Sequence, residues 1–211
     1  MKKYSQCVFF VVLFLAFLGC DTGFSHTSDL PSTNNPPANS SPKTIEWDLG
    51  TDGFWQMYTN ESRYCNYVFS MLINNNKSNQ NVFESEIKKI SGARNQTYGM
   101  IFGAADINNL YFIDITVDGY YEIGKMVNGS VGVTERTYSS KLRTGFNTIN
   151  TIKVTKSGST FQLSFNGSTV VEFTDSEIRG SRIGASATVG SSGEESFPNT
   201  PVEVKFRQTG Q

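Results

Sequence analysis

From residue 43 onward the chain alternates apolar and polar side chains with a period of two, and turn chemistry interrupts the alternation about every eight to twelve residues. Such a pattern buries one face of a strand and leaves the other to solvent. An amphipathic helix would instead repeat its apolar residues every third or fourth position. Residues 110–117 show the pattern most clearly, with Tyr111, Ile113, Ile115 and Val117 on one face and Phe112, Asp114 and Thr116 on the other. The first set is expected to be buried. Asp118-Gly119 separates this stretch from the next, 120–127, and an Asp-Gly pair between two alternating runs predicts a two-residue hairpin with positive φ at both turn positions. Asn128-Gly129, Ser157-Gly158 and Asn166-Gly167 mark further hairpins by the same logic. About a dozen strands follow, and successive hairpins favour an antiparallel meander over a parallel sheet with helical crossovers. No fixed-length repeat is visible, which argues against a propeller or solenoid. Charged residues make up only 18% of the chain and aromatics 13%, as suits short strands and many turns. The expectation is an all-β, two-sheet antiparallel sandwich with one core, spanning residues 43–211.

The N-terminus has a different organisation. Lys2 and Lys3 precede an apolar run, residues 8–18, which ends at Gly19-Cys20. That order of charged, apolar and small residues is the order of a secretory signal, and the run is too short to span a bilayer as a helix. A cysteine directly after the small residue resembles the lipobox of bacterial lipoproteins, with Phe17 and Leu18 departing from its usual Leu-Ala/Ser pair. The resemblance implies cleavage after residue 19 and acylation of Cys20 by diacylglycerol and chains such as palmitate. The alternative is an ordinary signal peptide with an incidental cysteine. Residues 20–42, rich in Ser, Thr, Asn and Pro and containing Asn34-Asn35-Pro36-Pro37, read as a tether. The expected location is the bacterial cell envelope, lipid-anchored to the outer membrane or to the periplasmic face of the inner membrane. Asp21 resembles an inner-membrane retention signal of enteric bacteria, and both locations stay open.

Loss of residues 1–19 removes two lysines and no acid, so the formal charge moves from -1 to -3. No basic stripe remains to neutralise phosphates, which argues against a nucleic-acid partner. Of three cysteines, only Cys65 would remain beyond the signal and lipid site, so no internal disulfide is available and a buried, inert thiol is expected there.

A resemblance enters with the segment order in the second half of the chain. Tyr98-Gly99-Met100-Ile101-Phe102, then 106–109, then Leu110-Tyr111-Phe112-Ile113-Asp114-Ile115 and Asp118-Gly119-Tyr120-Tyr121, resembles laminin-G-like and related concanavalin A-like bacterial domains. Residues 150–154, the hairpin 161–167 and Arg182-Ile183-Gly184-Ala185 extend the likeness, which covers roughly residues 80–208. It implies a jelly-roll of two sheets with the terminal strands, 45–49 and 202–207, lying side by side. It implies little about activity, because this fold carries lectin-like modules, glycosidases and adhesive domains alike.

The only histidine is His26, in the tether, which excludes Ser-His-Asp and Cys-His mechanisms in the folded domain. In the glucanase branch of the family, catalytic carboxylates lie on one strand in a Glu-x-Asp-x-x-Glu pattern. Glu46-Trp47-Asp48 begins that pattern, but Thr51 stands where the last glutamate belongs. Glu84-Ser85-Glu86 reads as a solvated strand face, and Asp114 and Asp118 lie too far apart along a strand to act together. Calcium could be held by Asp106, Asn108 and Asn109 through hard oxygen ligands, although complete loop spacing is missing; otherwise no cofactor and no metal site is expected. Sugar binding needs an aromatic platform for the apolar face of the ring and polar groups for its hydroxyls. The candidate ligand-binding residues are Trp55, Tyr58, Asn108, Asn109, Phe112, Asp114, Tyr120 and Tyr121. The leading expectation is a non-catalytic glycan-binding module. A glycoside-processing hydrolase and an adhesion or envelope-assembly domain that binds an extracellular protein are the alternatives.

Overall fold

The computed structural model describes residues 47–59, 67–73, 81–177, 180–189 and 202–209. Cys20, the tether and Cys65 lie outside the described residues. Among those described there are fourteen strands and no helix, arranged in two sheets. The first sheet runs in the order β1 (Trp47–Leu49), β2 (Trp55–Thr59), β14 (Val202–Thr209), β4 (Val82–Ser91), β10 (Asn150–Ser157), β11 (Thr160–Phe165) and β12 (Ser168–Thr174). The second runs β3 (Tyr67–Ile73), β13 (Arg182–Val189), β5 (Tyr98–Asp106), β6 (Asn109–Ile115), β7 (Tyr120–Val127) and β8 (Ser130–Val133), and β9 (Thr137–Tyr138) also pairs with β7. All these pairings are antiparallel. The all-β sandwich expected from the alternation is the fold present.

The inward rows are the ones the alternation marks. Phe83 and Ile87 of β4, Ile152 and Val154 of β10, and Phe161, Leu163 and Phe165 of β11 face Tyr98, Met100 and Phe102 of β5 and Tyr111, Ile113 and Ile115 of β6 in one buried cluster. Aromatic rings join the layers. Phe83 and Phe102 have centroids 5.7 Å apart, Tyr111 and Phe161 5.2 Å, and Tyr121 and Phe165 5.2 Å. Each such side chain contributes about 1.5–3 kcal/mol on burial, so this cluster and not any single contact holds the sheets together. Ser85 and Lys89 are the polar residues on the inward face of β4, and Lys89 is the charged one. Its Nζ donates to the carbonyls of Ala93 (2.7 Å) and Gln96 (3.1 Å), closing the turn into β5, and burial pushes its ammonium down to about 7.

Two expectations need correction. The terminal strands share a sheet but are not neighbours, because β2 lies between β1 and β14. The chain turns back on itself at residues 50–54, where Gly50 N–H donates to Phe54 O at 2.8 Å, and the returning strand takes the position beside β14.

The second correction concerns Asp118-Gly119. At Asn128-Gly129 (φ 49° and 80°) and Asn166-Gly167 (φ 51° and 83°) both turn residues have positive φ, as expected. Asp118 and Ser157 do not; only Gly119 (φ 89°) and Gly158 (φ 63°) do, and in the second case Ser157 is a strand residue opposite Thr160, so the turn residues are 158 and 159. Thr116 N–H donates to Tyr120 O at 2.9 Å and Gly119 N–H to Thr116 O at 3.2 Å, so the loop has three residues, 117–119. A three-residue loop places its one left-handed residue last, and glycine fits that place without steric cost. The extra residue shifts the register by one. Asp114 therefore faces Glu122, where a two-residue loop would have set it against Ile123.

Candidate ligand-binding face

That register builds a polar row on the face of the second sheet turned away from the core. Cα partners run from Ser70 to Ser186, Gly99, Asp114 and Glu122 across five strands. Asp114 leans away from Glu122 and over β5, where Gly99 has no side chain to obstruct it; a Cβ on Gly99 would overlap Asp114 Oδ1 and the backbone of Ile113. In that position Asp114 Oδ1 accepts a 2.6 Å hydrogen bond from Ser186 Oγ. Thr97 Oγ1 lies 3.4 Å from Asp114 Oδ2 and 2.8 Å from Thr188 Oγ1, so hydroxyls from β13 and from the residue just before β5 surround the carboxylate. Asp114 is only 6% exposed, and desolvation raises its carboxyl to about 6. The Ser186 hydrogen bond opposes that shift, and the negative Glu122 adds to it. Glu122 in turn is held by Arg136, whose Nε donates to it at 3.2 Å.

Aromatic groups border the row at one end. Tyr120 and Tyr138 are directly opposed on β7 and β9, their rings 5.5 Å apart in an edge-to-face contact, and they are 42% and 58% exposed. Thr116 Oγ1 accepts from Tyr120 N–H at 3.3 Å, which fixes the start of β7 against the end of β6. On the other side of the polar row lies Phe112. Its ring occupies the space that a Cβ on Gly124 would take, so it lies down across β7 and is half-buried.

The sequence-derived candidates thus divide. Phe112, Asp114 and Tyr120 come together on this face. Tyr121 points the other way, into the core against Phe165, and burial raises its phenol. Trp55 likewise packs on the core from the first sheet, and Tyr58, 51% exposed, stands on that sheet's outer face. Asn108 and Asn109 belong to the β5–β6 turn. Asp106 Oδ1 accepts from Asn108 N–H (2.8 Å) and Asn109 Nδ2 (3.0 Å), and Asn109 Oδ1 accepts from Asn128 N–H (3.0 Å), tying two neighbouring turns together. Among the described residues no group of three His, Cys, Asp or Glu side chains gathers as metal ligands do.

Glu122, Arg136, Ser186, Thr97 and Tyr138 were not singled out from sequence. Glu122 was within reach, since a three-residue reading of the Asp118-Gly119 turn puts it beside Asp114. Ser186 lies 72 positions from Asp114 and gives no local signal.

The chain matches no family model and no curated protein. Its fold is similar to that of a carbohydrate-binding module, CBM66 from Bacillus subtilis. The TM-score is 0.49 at 15% identity, with 78% of this chain and 89% of that one covered. Bacillus licheniformis beta-glucanase gives 0.48 at 12% identity, covering 78% of this chain and 82% of the other. A galectin from Caenorhabditis elegans gives 0.41 at 10%, covering 77% and 100%. At 10–15% identity, nothing about ligand or reaction transfers from those proteins to this chain.

Proposed function

We propose that this chain is a lipid-anchored, non-catalytic glycan-binding module, and that the outer face of its second sheet is the binding surface. The observation that carries this reading is the exposed Tyr120–Tyr138 pair standing beside a row of oriented carboxylates and hydroxyls. A sugar ring has an apolar face that stacks on aromatic carbon and hydroxyls that must keep hydrogen bonds when water leaves. Glu122 and Arg136 offer an acceptor and donors at the edge of the row, already held in place by each other. Pre-orientation of this kind lowers the ordering cost of binding.

The hydrolase alternative has less support. A glycosidase needs an acid and a partner carboxylate open to the scissile bond. Asp114 is nearly buried, leans away from Glu122 and is engaged by Ser186.

Attachment through Cys20, with residues 20–42 as a spacer, is part of the same proposal and rests on the order of the N-terminal residues. Metabolic labelling with a palmitate analogue tests it: label on the wild type and none on Cys20→Ser is expected, and equal label on both contradicts it. Glycan binding is tested on an array with the full-length chain in phosphatidylcholine nanodiscs. Retention of selected sugars that Tyr138→Ala abolishes supports the reading, and silence across plant, animal and bacterial glycans defeats it.

A further inference from the structure

The face just described is not uniform. Next to the polar row lies an apolar one, with Cα partners Leu72, Gly184, Ile101, Phe112, Gly124 and Val133; beyond it Leu110, Met126 and Val131 are opposed. Ile101 and Leu110 are buried there in a small cluster separate from the main core, with Leu72, Phe112 and Met126 packed on it. Val131 and Val133, on the short strand β8, stand 56% and 49% exposed. With Tyr120 and Tyr138 they make four of the seven exposed large hydrophobic residues among those described. Edge strands ordinarily place charges or proline at such positions, and β8 (Ser130, Val131, Gly132, Val133) has neither.

Resting on the glycan reading, we infer that the sugar this face selects carries a methyl-terminated substituent, a deoxy methyl or an acetyl, which sits on Phe112, Met126, Val131 and Val133. Two residues along a strand separate the polar row from the apolar row, about 6.8 Å, which is close to the width of one sugar ring. A ring hydrogen-bonded at Glu122 and Arg136 therefore extends its far substituent over Phe112 and Val133. A hydroxyl placed there would lose its water and find no partner. A methyl there is favoured instead, because it leaves water for apolar contact. The part of this apolar area made by Phe112, Met126, Val131 and Val133 lies on three strands, about 9.6 Å across, by one two-residue step, which suits a methyl or acetyl group.

Calorimetric titration of the full-length chain in nanodiscs, with paired sugars differing only in this group, tests the inference. Galactose is compared with 6-deoxygalactose of the same ring configuration, and glucose with N-acetylglucosamine; the first pair reads a deoxy methyl and the second an acetyl. At least about tenfold tighter binding of the methyl-bearing member of one pair is expected. The variant Val131→Asn/Val133→Asn should erase the difference and leave binding of the unsubstituted sugar in place. Equal affinities within both pairs would overturn the inference and leave glycan binding standing. Absence of binding to all four would overturn both. A preference that excess phosphatidylcholine vesicles abolish would also overturn it, since acyl chains would then be what the patch takes.

Discussion

A Cβ on Gly99 would overlap the carbonyl of Ile113 and the carboxylate of Asp114, whereas a Cβ on Gly124 would meet only the ring of Phe112. The first obstruction is largely backbone and cannot move; the second is the end of a side chain that can swing aside. Gly99→Ala is therefore expected to cost about 3 kcal/mol or more and Gly124→Ala about 1 kcal/mol, in urea unfolding. Equal losses would mean that the two glycines do not support these side chains in the way described. Asp114 carries a second residue-scale prediction. Its folded carboxyl titrates at about 6 against an ordinary 3.8, so between those values the folded state binds more protons than the unfolded one. Stability associated with this group is therefore present at low pH and lost as pH rises through 6. The stability of Asp114→Asn relative to wild type should move in the variant's favour by up to about 3 kcal/mol between pH 3.5 and pH 7. A pH-independent difference, measured by chemical denaturation, would contradict the placement of Asp114.

At the scale of elements, two asparagines organise the long connection from β9 to β10. Asn150 is fully buried; its Nδ2 donates to Arg143 O (2.9 Å), and its Oδ1 accepts from Arg143 N–H (2.8 Å) and Asn166 Nδ2 (2.9 Å). Asn166 also donates to Lys141 O at 2.8 Å from its own left-handed turn position. Asn150→Ala should destabilise by about 2–3 kcal/mol, because it strands buried backbone groups of the loop. Asn166→Gly keeps the turn geometry and should lose about 1 kcal/mol, read by thermal unfolding. Of these two, the Asn-Gly turn was legible in the sequence, because positive φ at both positions is a local demand. The bonds from Asn150 were not, since nothing local tells a strand-opening asparagine which loop it will hold. Asp118-Gly119 shows the limit of local reading more sharply. The same dipeptide serves two-residue and three-residue loops, and only the neighbouring alternation, with Ile123 needing the core and Glu122 the surface, separates them.

Across the whole molecule, period-two alternation was enough to give the sandwich and the inward rows of β4, β10, β11 and β14, where every second residue is buried; β5, buried on both faces, and β8, exposed on both, depart from it. It could not say how the two ends of the chain share a sheet, nor which residues of β13 meet those of β6. The binding face is assembled from residues far apart in sequence, Ser186 with Asp114 and Tyr138 with Tyr120, so its composition became visible only in three dimensions. The central claim is that this outer face of the second sheet, and not the charged outer face of the first, meets the ligand. The direct measurement is hydrogen–deuterium exchange of the full-length chain with and without a glycan retained on the array. Slowed exchange in residues 112–124 and 133–138, with residues 56–58 and 203–207 unchanged, is the expected result. Protection confined to the 56–58 and 203–207 segments would contradict it.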